Sequence, residues 1–320
     1  METPLISICI PAYMRVNYLK RLLDSIAIQT FTNFEIVITD DSTDHSVYDL
    51  IHQFYAHLPI AYYKNASSLG TPENWNEALR KARGTWIKLM HDDDWFSNSS
   101  ALYNFYNAIV AHPDCSFFFS AFENRDIDKG KREIVRCNRF HLWMLQRNPL
   151  HLFKKVYVGN PSCTLIKKDI DLWYDNRYKF VVDFEYYIRY IKKVKNWNYI
   201  DEVLLNIGFH DTQVTKYTFK VAAVQIPENH LLLREMGVSI LHNYFVYDYY
   251  WRMYRNLNIR RLTELEKYDT MPIDKSLKQM ILFQQKIPIQ LLKIGLISKC
   301  CMTFNYLRNL LSRNFISKSN

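Results

Sequence analysis

Three consecutive carboxylates, Asp92-Asp93-Asp94, close an apolar segment and precede Trp95 and Phe96. Carboxylates on a structured turn beside aromatics are placed to hold a hard divalent cation. Mg2+ or Mn2+ takes one or two protein carboxylates, and phosphate oxygens and water complete the octahedron. A solvated turn or a helix cap would use the same residue types. A second acidic pair, Asp40-Asp41, also follows an apolar run. It reads either as a turn, with Ser42 or Asp44 capping the next helix, or as a carboxylate that accepts a hydrogen bond from a nucleotide base. The seven glycines are too scattered for G-x-G-x-x-G or G-x-x-x-x-G-K, which excludes a dinucleotide fingerprint and an ATPase loop. None of the six cysteines forms a C-x-x-C pair, which argues against a zinc ribbon or a thioredoxin-like site. Their spread suits a reducing compartment, and the vicinal pair Cys300-Cys301 reads as structural.

The elements around these residues follow from periodicity. Leu5 to Ile10 reads as a buried strand stopped by Pro11. Leu19, Leu22, Leu23 and Ile26 follow at helical spacing. Phe34 to Thr39 is a second predicted strand, Val47 to Phe54 a helix, and Ile60 to Tyr63 a short strand. A helix is predicted from Pro72 to Gly84, and a strand from Thr85 to Met90 that runs into His91 and the acids. Strand and helix thus alternate to about residue 95, the pattern of a mainly parallel sheet with helices on both faces. Ligands bind such sheets at the carboxyl ends of the strands. Pro11-Ala12-Tyr13, Asp40-Asp41 and the acidic run all fall on such ends, which implies one shared site. Further on, a helix over 100–111, a strand from Cys115 to Phe122, a surface loop from Asn124 to Arg139, a strand from Cys163 to Lys167 and a helix opening at Asp183 are expected. Trp75, Trp95 and Trp173 read as core or as sugar-stacking platforms, and Gly159-Asn160-Pro161-Ser162 as an acceptor-side loop.

Charge separates the two ends of the chain. The 320 residues carry 41 Lys and Arg against 32 Asp and Glu, a net +9. Residues 271–320 hold eight of the basic residues and one acid, Asp274, so +7 of that total lies in the tail and the first 270 residues carry +2. A nucleic-acid-binding role for the main body is excluded on that balance. A hydrophobic content of 48 % supports a large core and excludes general disorder. No apolar run reaches the roughly 18 residues a membrane span needs, and Met1-Glu2-Thr3-Pro4 does not resemble a signal peptide. The expectation is a soluble or membrane-surface protein. In the tail, Leu291, Leu292, Ile294, Leu296, Ile297, Leu307, Leu310 and Leu311 interleave with Lys293, Lys299, Arg308 and Arg313. That pattern fits a helical subdomain with a solvated basic face, or attachment to an anionic membrane surface.

Several ordered motifs resemble glycosyltransferase family 2. Ser7-Ile8-Cys9-Ile10-Pro11-Ala12-Tyr13, Leu22 to Phe31, and Phe34 to Asp44 are similar to its opening, a strand into P-x-Y, a Q-T-F-like turn and E-I-x-V-x-D-D-x-S-x-D. Asn74 to Gly84 is similar to its helix ending in A-x-G, and Trp86 to Phe96 to its D-x-D segment. Val182 to Arg189 is similar to its E-D-x-x-L-W-L-R helix start, and Phe209-His210-Asp211 to Thr215 to its R-x-H segment. The likeness covers residues 5 to about 216. It implies a GT-A-type α/β fold over 1-216, with a mainly parallel sheet flanked by helices, and a mostly helical basic region over 217-320. It also implies an inverting, metal-dependent transfer of a sugar from a nucleotide-diphospho-sugar to a hydroxyl acceptor.

Carried over residue by residue, the resemblance assigns Pro11, Ala12, Tyr13 and Asp41 to the nucleotide. Asp93 becomes the principal ligand of a Mn2+ or Mg2+ ion, with Asp92 and Asp94 beside it. His210 would approach the diphosphate or the metal, and Asp183 would be the general base. Three departures stand out. The first acid of D-x-D is His91, the acid before the base is Val182, and the arginine two residues before His210 is Gly208. Arg15 or a lysine is left to neutralise phosphate. A nucleotidyltransferase is the nearest alternative, but Pro11-Ala12-Tyr13-Met14-Arg15 is not its glycine-rich loop. A non-catalytic nucleotide- or glycan-binding protein is another, and intact Asp93 and Asp183 argue against it. The expected setting is the cytoplasm, including the inner face of the cytoplasmic membrane. The expected role is synthesis of a bacterial surface polysaccharide on a glycan or lipid-linked glycan acceptor.

Overall fold

The computed structural model describes residues 3–169, 171–210 and 217–316, with side chains to 311. Asp211 to Thr215, the end of the R-x-H-like segment, lies outside the described residues. The first strand, β1 (Ile6–Ala12), is buried on both faces, as the centre of a parallel sheet must be. Ile6, Ile8 and Ile10 on one face pack with Leu19, Leu22, Leu23 and Ile26 of α1 (Val16–Ala27). On the other face, Ser7 Oγ donates to Glu35 at 2.7 Å, and Cys9 lies against α3 (Glu73–Lys81). The remaining early elements are β2 (Phe34–Asp40), α2 (Ser46–Phe54), β3 (Ile60–Lys64), β4 (Trp86–Leu89), β5 (Trp95–Phe96) and α4 (Ala101–Ala111).

β1 pairs in parallel with β2 and β4, and β2 in parallel with β3. The register sets Ala12 opposite Asp40 and Cys9 opposite Leu89, so all three expected polar features leave the sheet at the same end. The later elements are β6 (Phe117–Asp126), β7 (Arg132–Val135), α5 (Arg139–Arg147), β8 (Thr164–Lys167), α6 (Val182–Val194) and β9 (Trp197–Phe209). Among the described residues the sheet has nine strands, in the order β3-β2-β1-β4-β8-β6-β9-β5, with β7 paired to β6. β8 is antiparallel to both neighbours, β4 and β6.

Two expectations need correction. Residues 124–139 are not a loop throughout, because β6 runs to Asp126 and turns back as β7. The 13-residue strand β9 has no counterpart among the expected elements. Its pairing with β6 shifts register between Ser120 and Phe122, which breaks the period-2 alternation that would announce it.

The chain divides into two units, residues 1–146 with 157–213, and residues 147–156 with 214–320. The second is helical among the described residues, with α7 (Ala222–Met236), α8 (Tyr244–Asn256), α9 (Leu262–Leu265), α10 (Lys275–Gln285), α11 (Ile289–Lys293) and α12 (Gly295–Ile316). Its core is aromatic, with Tyr247, Tyr250, Trp251 and Tyr254 of α8 fully buried. Asn243 caps α8 by accepting from the Phe245 N–H at 2.9 Å.

Candidate active site

The acidic run sits just past β4, where Met90 N donates to Cys9 O at 2.8 Å. All three carboxylates are buried, and each has a different partner set. Asp92 pairs with Arg15 at 2.7 Å. Asp93 Oδ2 lies 3.0 Å from His210 Nε2 and 3.5 Å from the Arg15 guanidinium. Asp94 accepts from Asn160 Nδ2 at 2.7 Å and from Gly208 N at 3.0 Å. Burial raises the Asp92 and Asp94 carboxyls above the ordinary range, Arg15 opposes this at Asp92, and the charge of Asp93 reinforces it at both. Arg15 Nη1 also lies 3.3 Å from His210 Nε2, and the His210 ring stacks on Tyr18 at 4.5 Å. Arg15, Asp92, Asp93, Asp94 and His210 therefore form one cluster, drawn from the start of α1, the end of β4 and the end of β9.

Gly208 shows why the expected arginine is missing. A Cβ there would stand 2.3 Å from the Asp93 carbonyl oxygen, so no side chain fits without moving the acidic turn. Arg15, at the N-cap of α1, and Arg21 within it bring positive charge to the acidic turn. Arg15 meets Asp92 and Asp93, and Arg21 Nη2 donates to the Asp93 carbonyl at 3.0 Å. The Arg21 guanidinium lies 3.7 Å from the centre of the Trp95 ring, a cation–π contact that leaves Trp95 engaged within the protein.

Two of the three expected acids share a candidate donor set with a histidine. One ligand atom each from His91, Asp93 and Asp94 falls within 4.8 Å of the others. Among the described residues, the buried His91 Nε2 has no hydrogen-bond partner, and burial pushes the His91 pKa down to about 4, which keeps the imidazole neutral as metal ligation requires. Two carboxylates and an imidazole suit Mn2+ or a related divalent ion. Trp75 supports the His91 ring at 4.8 Å.

The residues that the resemblance assigns to the nucleotide sit around the ends of β1 and β2. Asp41 N donates to Ala12 O at 3.0 Å, and Met14, at φ 57°, donates to Ser42 Oγ at 2.7 Å. The Asp41 carboxylate accepts from Asn65 Nδ2 at 2.6 Å, Leu69 N at 3.1 Å and Gly70 N at 2.8 Å. Three donors leave one of its roughly four lone-pair sites for a ligand. Asp40 is turned inward, where it accepts from Ser42 N, Tyr62 and Lys64. The Tyr13 side chain beside Pro11 and Ala12 is half exposed.

Asp183 lies in the first turn of α6, one residue after Val182, and Val181 is the N-cap. Asp183 is thus not the cap. Burial raises its pKa to about 6. Sequence reasoning missed Arg21 and Lys88, and named Asn160 and Ser162 only as part of an expected acceptor-side loop, without their contacts to the acidic turn. Ser162 Oγ accepts from His91 N at 2.9 Å, and the fully buried Lys88 ammonium donates to the carbonyls of Ser162 and Thr164. A lysine inside the apolar strand Trp86-Ile87-Lys88-Leu89 was the available signal for this link.

The α/β sheet, with a carboxylate–histidine cluster at its strand ends, has the GT-A-type fold of the glycosyltransferase structures that superpose on it. The family model of Glycosyl transferase family 2 matches residues 7–173, and the chain belongs to that family. An uncharacterized glycosyltransferase of Haemophilus influenzae is 23 % identical over 91 % of this chain and 100 % of its own length. A chondroitin synthase of Escherichia coli is 33 % identical over 94 residues, 29 % of this chain and only 14 % of the synthase. Among solved structures, S. aureus TarS 1-349 in complex with UDP-GlcNAc superposes with TM-score 0.61 at 17 % identity, over 94 % of this chain and 89 % of TarS. The mannosyltransferase PcManGT of Pyrobaculum calidifontis, in complex with GDP-Man and Mn2+, gives TM-score 0.54 at 12 % identity, over 97 % and 88 % of the two chains.

Proposed function

We propose that this glycosyltransferase moves a sugar from a nucleotide-diphospho-sugar to a hydroxyl acceptor, with inversion and with a divalent cation. One observation carries the reading: His91, Asp93 and Asp94 converge beside Arg15 and His210 at the end of the strands that also present Tyr13 and Asp41. His91, Asp93 and Asp94 would hold Mn2+ or Mg2+, which when bound offsets negative charge on the diphosphate. Asp92, expected as a ligand, instead anchors Arg15, whose fixed guanidinium faces the same leaving-group charge. His210, held by Tyr18 and Asp93, is placed to donate to a phosphate oxygen.

Asp183 takes the acceptor hydroxyl proton as the acceptor oxygen bonds to the anomeric carbon and the bond from that carbon to the diphosphate oxygen breaks, its electron pair leaving with the nucleoside diphosphate. Its raised pKa makes it a stronger base than an ordinary carboxylate while leaving it ionised at neutral pH. Ser162 and Asn160 hold the acidic turn from the acceptor side. A role in bacterial surface polysaccharide synthesis is supported by the chondroitin and hyaluronan synthases of bacteria among the relatives. Calorimetry with UDP and GDP, each with and without Mn2+, tests the donor reading. Mn2+-dependent affinity for one nucleotide supports it, and affinity indifferent to the cation overturns the metal site.

A further inference from the structure

The last helix, α12, is turned inside out. Ser298, Met302, Asn305 and Asn309 are buried. Trp251 Nε1 donates to Ser298 Oγ at 3.0 Å, Tyr247 donates to Asn305 Oδ1, and Asn309 Nδ2 donates to the Tyr247 hydroxyl at 2.7 Å. The outward residues are apolar: Leu296, Phe304, Leu307 and Leu311 are 77 %, 61 %, 52 % and 62 % exposed, and Cys300 lies among them. At about 100° per residue these five fall within an arc of about 80°, and the four buried residues lie roughly opposite. With a rise of about 1.5 Å per residue, the stripe runs for about 22 Å. Leu291 and Ile294 extend it, also exposed.

We propose that this stripe docks the protein on an anionic lipid surface. A soluble helix puts its polar face to water, and the reverse arrangement marks a face made for an apolar medium. Charge selects the medium. Residues 275–320 contain eight Lys and Arg and no acid. Lys299 and Arg308 flank the stripe at roughly 100° and 80° from its centre. Lys299 pairs with Asp248 at 2.9 Å, so the exposed Lys293 and Arg308 carry the outward charge. A second copy of the chain would bring the same positive field to the contact, whereas anionic headgroups complement it. Among the described residues no helix is long and apolar enough to cross a membrane, so the helix lies in the interface plane.

The inference does not depend on the transfer reading and is tested without donor or acceptor. The full chain is sedimented with vesicles of phosphatidylcholine alone and of phosphatidylcholine with one quarter phosphatidylglycerol. Binding to the anionic vesicles is expected, weakened by salt at about 0.5 M, where screening is strong. Replacing Leu296, Phe304 and Leu307 together by Ser should lower that binding by about tenfold or more, because apolar burial is lost. Should that variant fail to keep the wild-type circular dichroism and melting temperature, Lys293→Glu with Arg308→Glu decides the question, with a loss of the same order. Binding unaffected by these changes overturns the proposal. So does a dimer, seen by light scattering, that the triple variant dissolves while the wild type ignores vesicles.

Discussion

The two units both bury polar side chains, but in different company. In the helical unit several buried groups answer one another, although Asn229 Oδ1 and Gln284 Oε1 find no hydrogen-bond partner among the described residues. His230 lies 2.7 Å from both Asp269 and the Tyr254 hydroxyl, Arg234 meets Asp269 at 3.0 Å, and Tyr247 joins Asn305 to Asn309. At the strand ends of the first unit, three buried carboxylates crowd together, two with pKa values pushed up, and His91 Nε2 has no hydrogen-bond partner among the described residues. Matched burial holds a fold, whereas unmatched burial is a standing cost that a ligand can relieve.

The sharpest break of this comparison is at Asp183. Asp183→Asn should cut transfer by about 10²–10⁴-fold with donor affinity unchanged, measured by turnover beside calorimetry. The same substitution should stabilise the fold at pH 8. The native pKa of about 6 lies above the ordinary 3.8, so ionisation costs stability. That cost is absent below about pH 4 and complete above about pH 6, and amounts to at most about 3 kcal/mol. Equal melting temperatures of wild type and variant at pH 8 would contradict the burial argument. Turnover of the wild type should fall as pH drops through about 6, as the base is protonated.

Asp93→Ala should reduce Mn2+-dependent nucleotide affinity by about 10–100-fold, measured by calorimetry, while the wild-type circular dichroism is kept. Retained metal-dependent affinity would reject the donor set. Gly208→Ala probes the close approach to Asp93. It should cost about 1–3 kcal/mol in chemical denaturation and weaken the nucleotide site together with the fold. Tyr247→Phe is the smallest change and the control from the other unit. It should cost about 1–2 kcal/mol, from the hydrogen bonds that the Tyr247 hydroxyl makes to Asn305 and Asn309, with nucleotide affinity untouched.

Much of the first unit was legible because parallel strands buried on both faces write continuous apolar runs. Pro11, Asp40 and His91 end those runs in the sequence, and the register places them at one edge of the sheet. The strand β9 was not legible, since its bulged pairing with β6 hides the alternation. The tail's mixture of leucines and lysines left two readings open, and only the burial of Asn305 and Asn309 showed which side faces out.

By itself the sequence determined the chemistry available: the acids, the histidines, the α/β alternation and the basic tail. Those properties are local in the chain, and local residue order is enough to express them. Which acid meets which partner was decided only by tertiary structure. Asp92 went to Arg15, while Asp93 and Asp94 lie beside His91, with Gly208 letting β9 press against the acidic turn and Arg21 of α1 donating to the Asp93 carbonyl. Arg21 and His210 lie 72 and 117 residues from the Asp93 they touch. Pairing at such separation depends on three-dimensional packing, and no spacing along the chain encodes it.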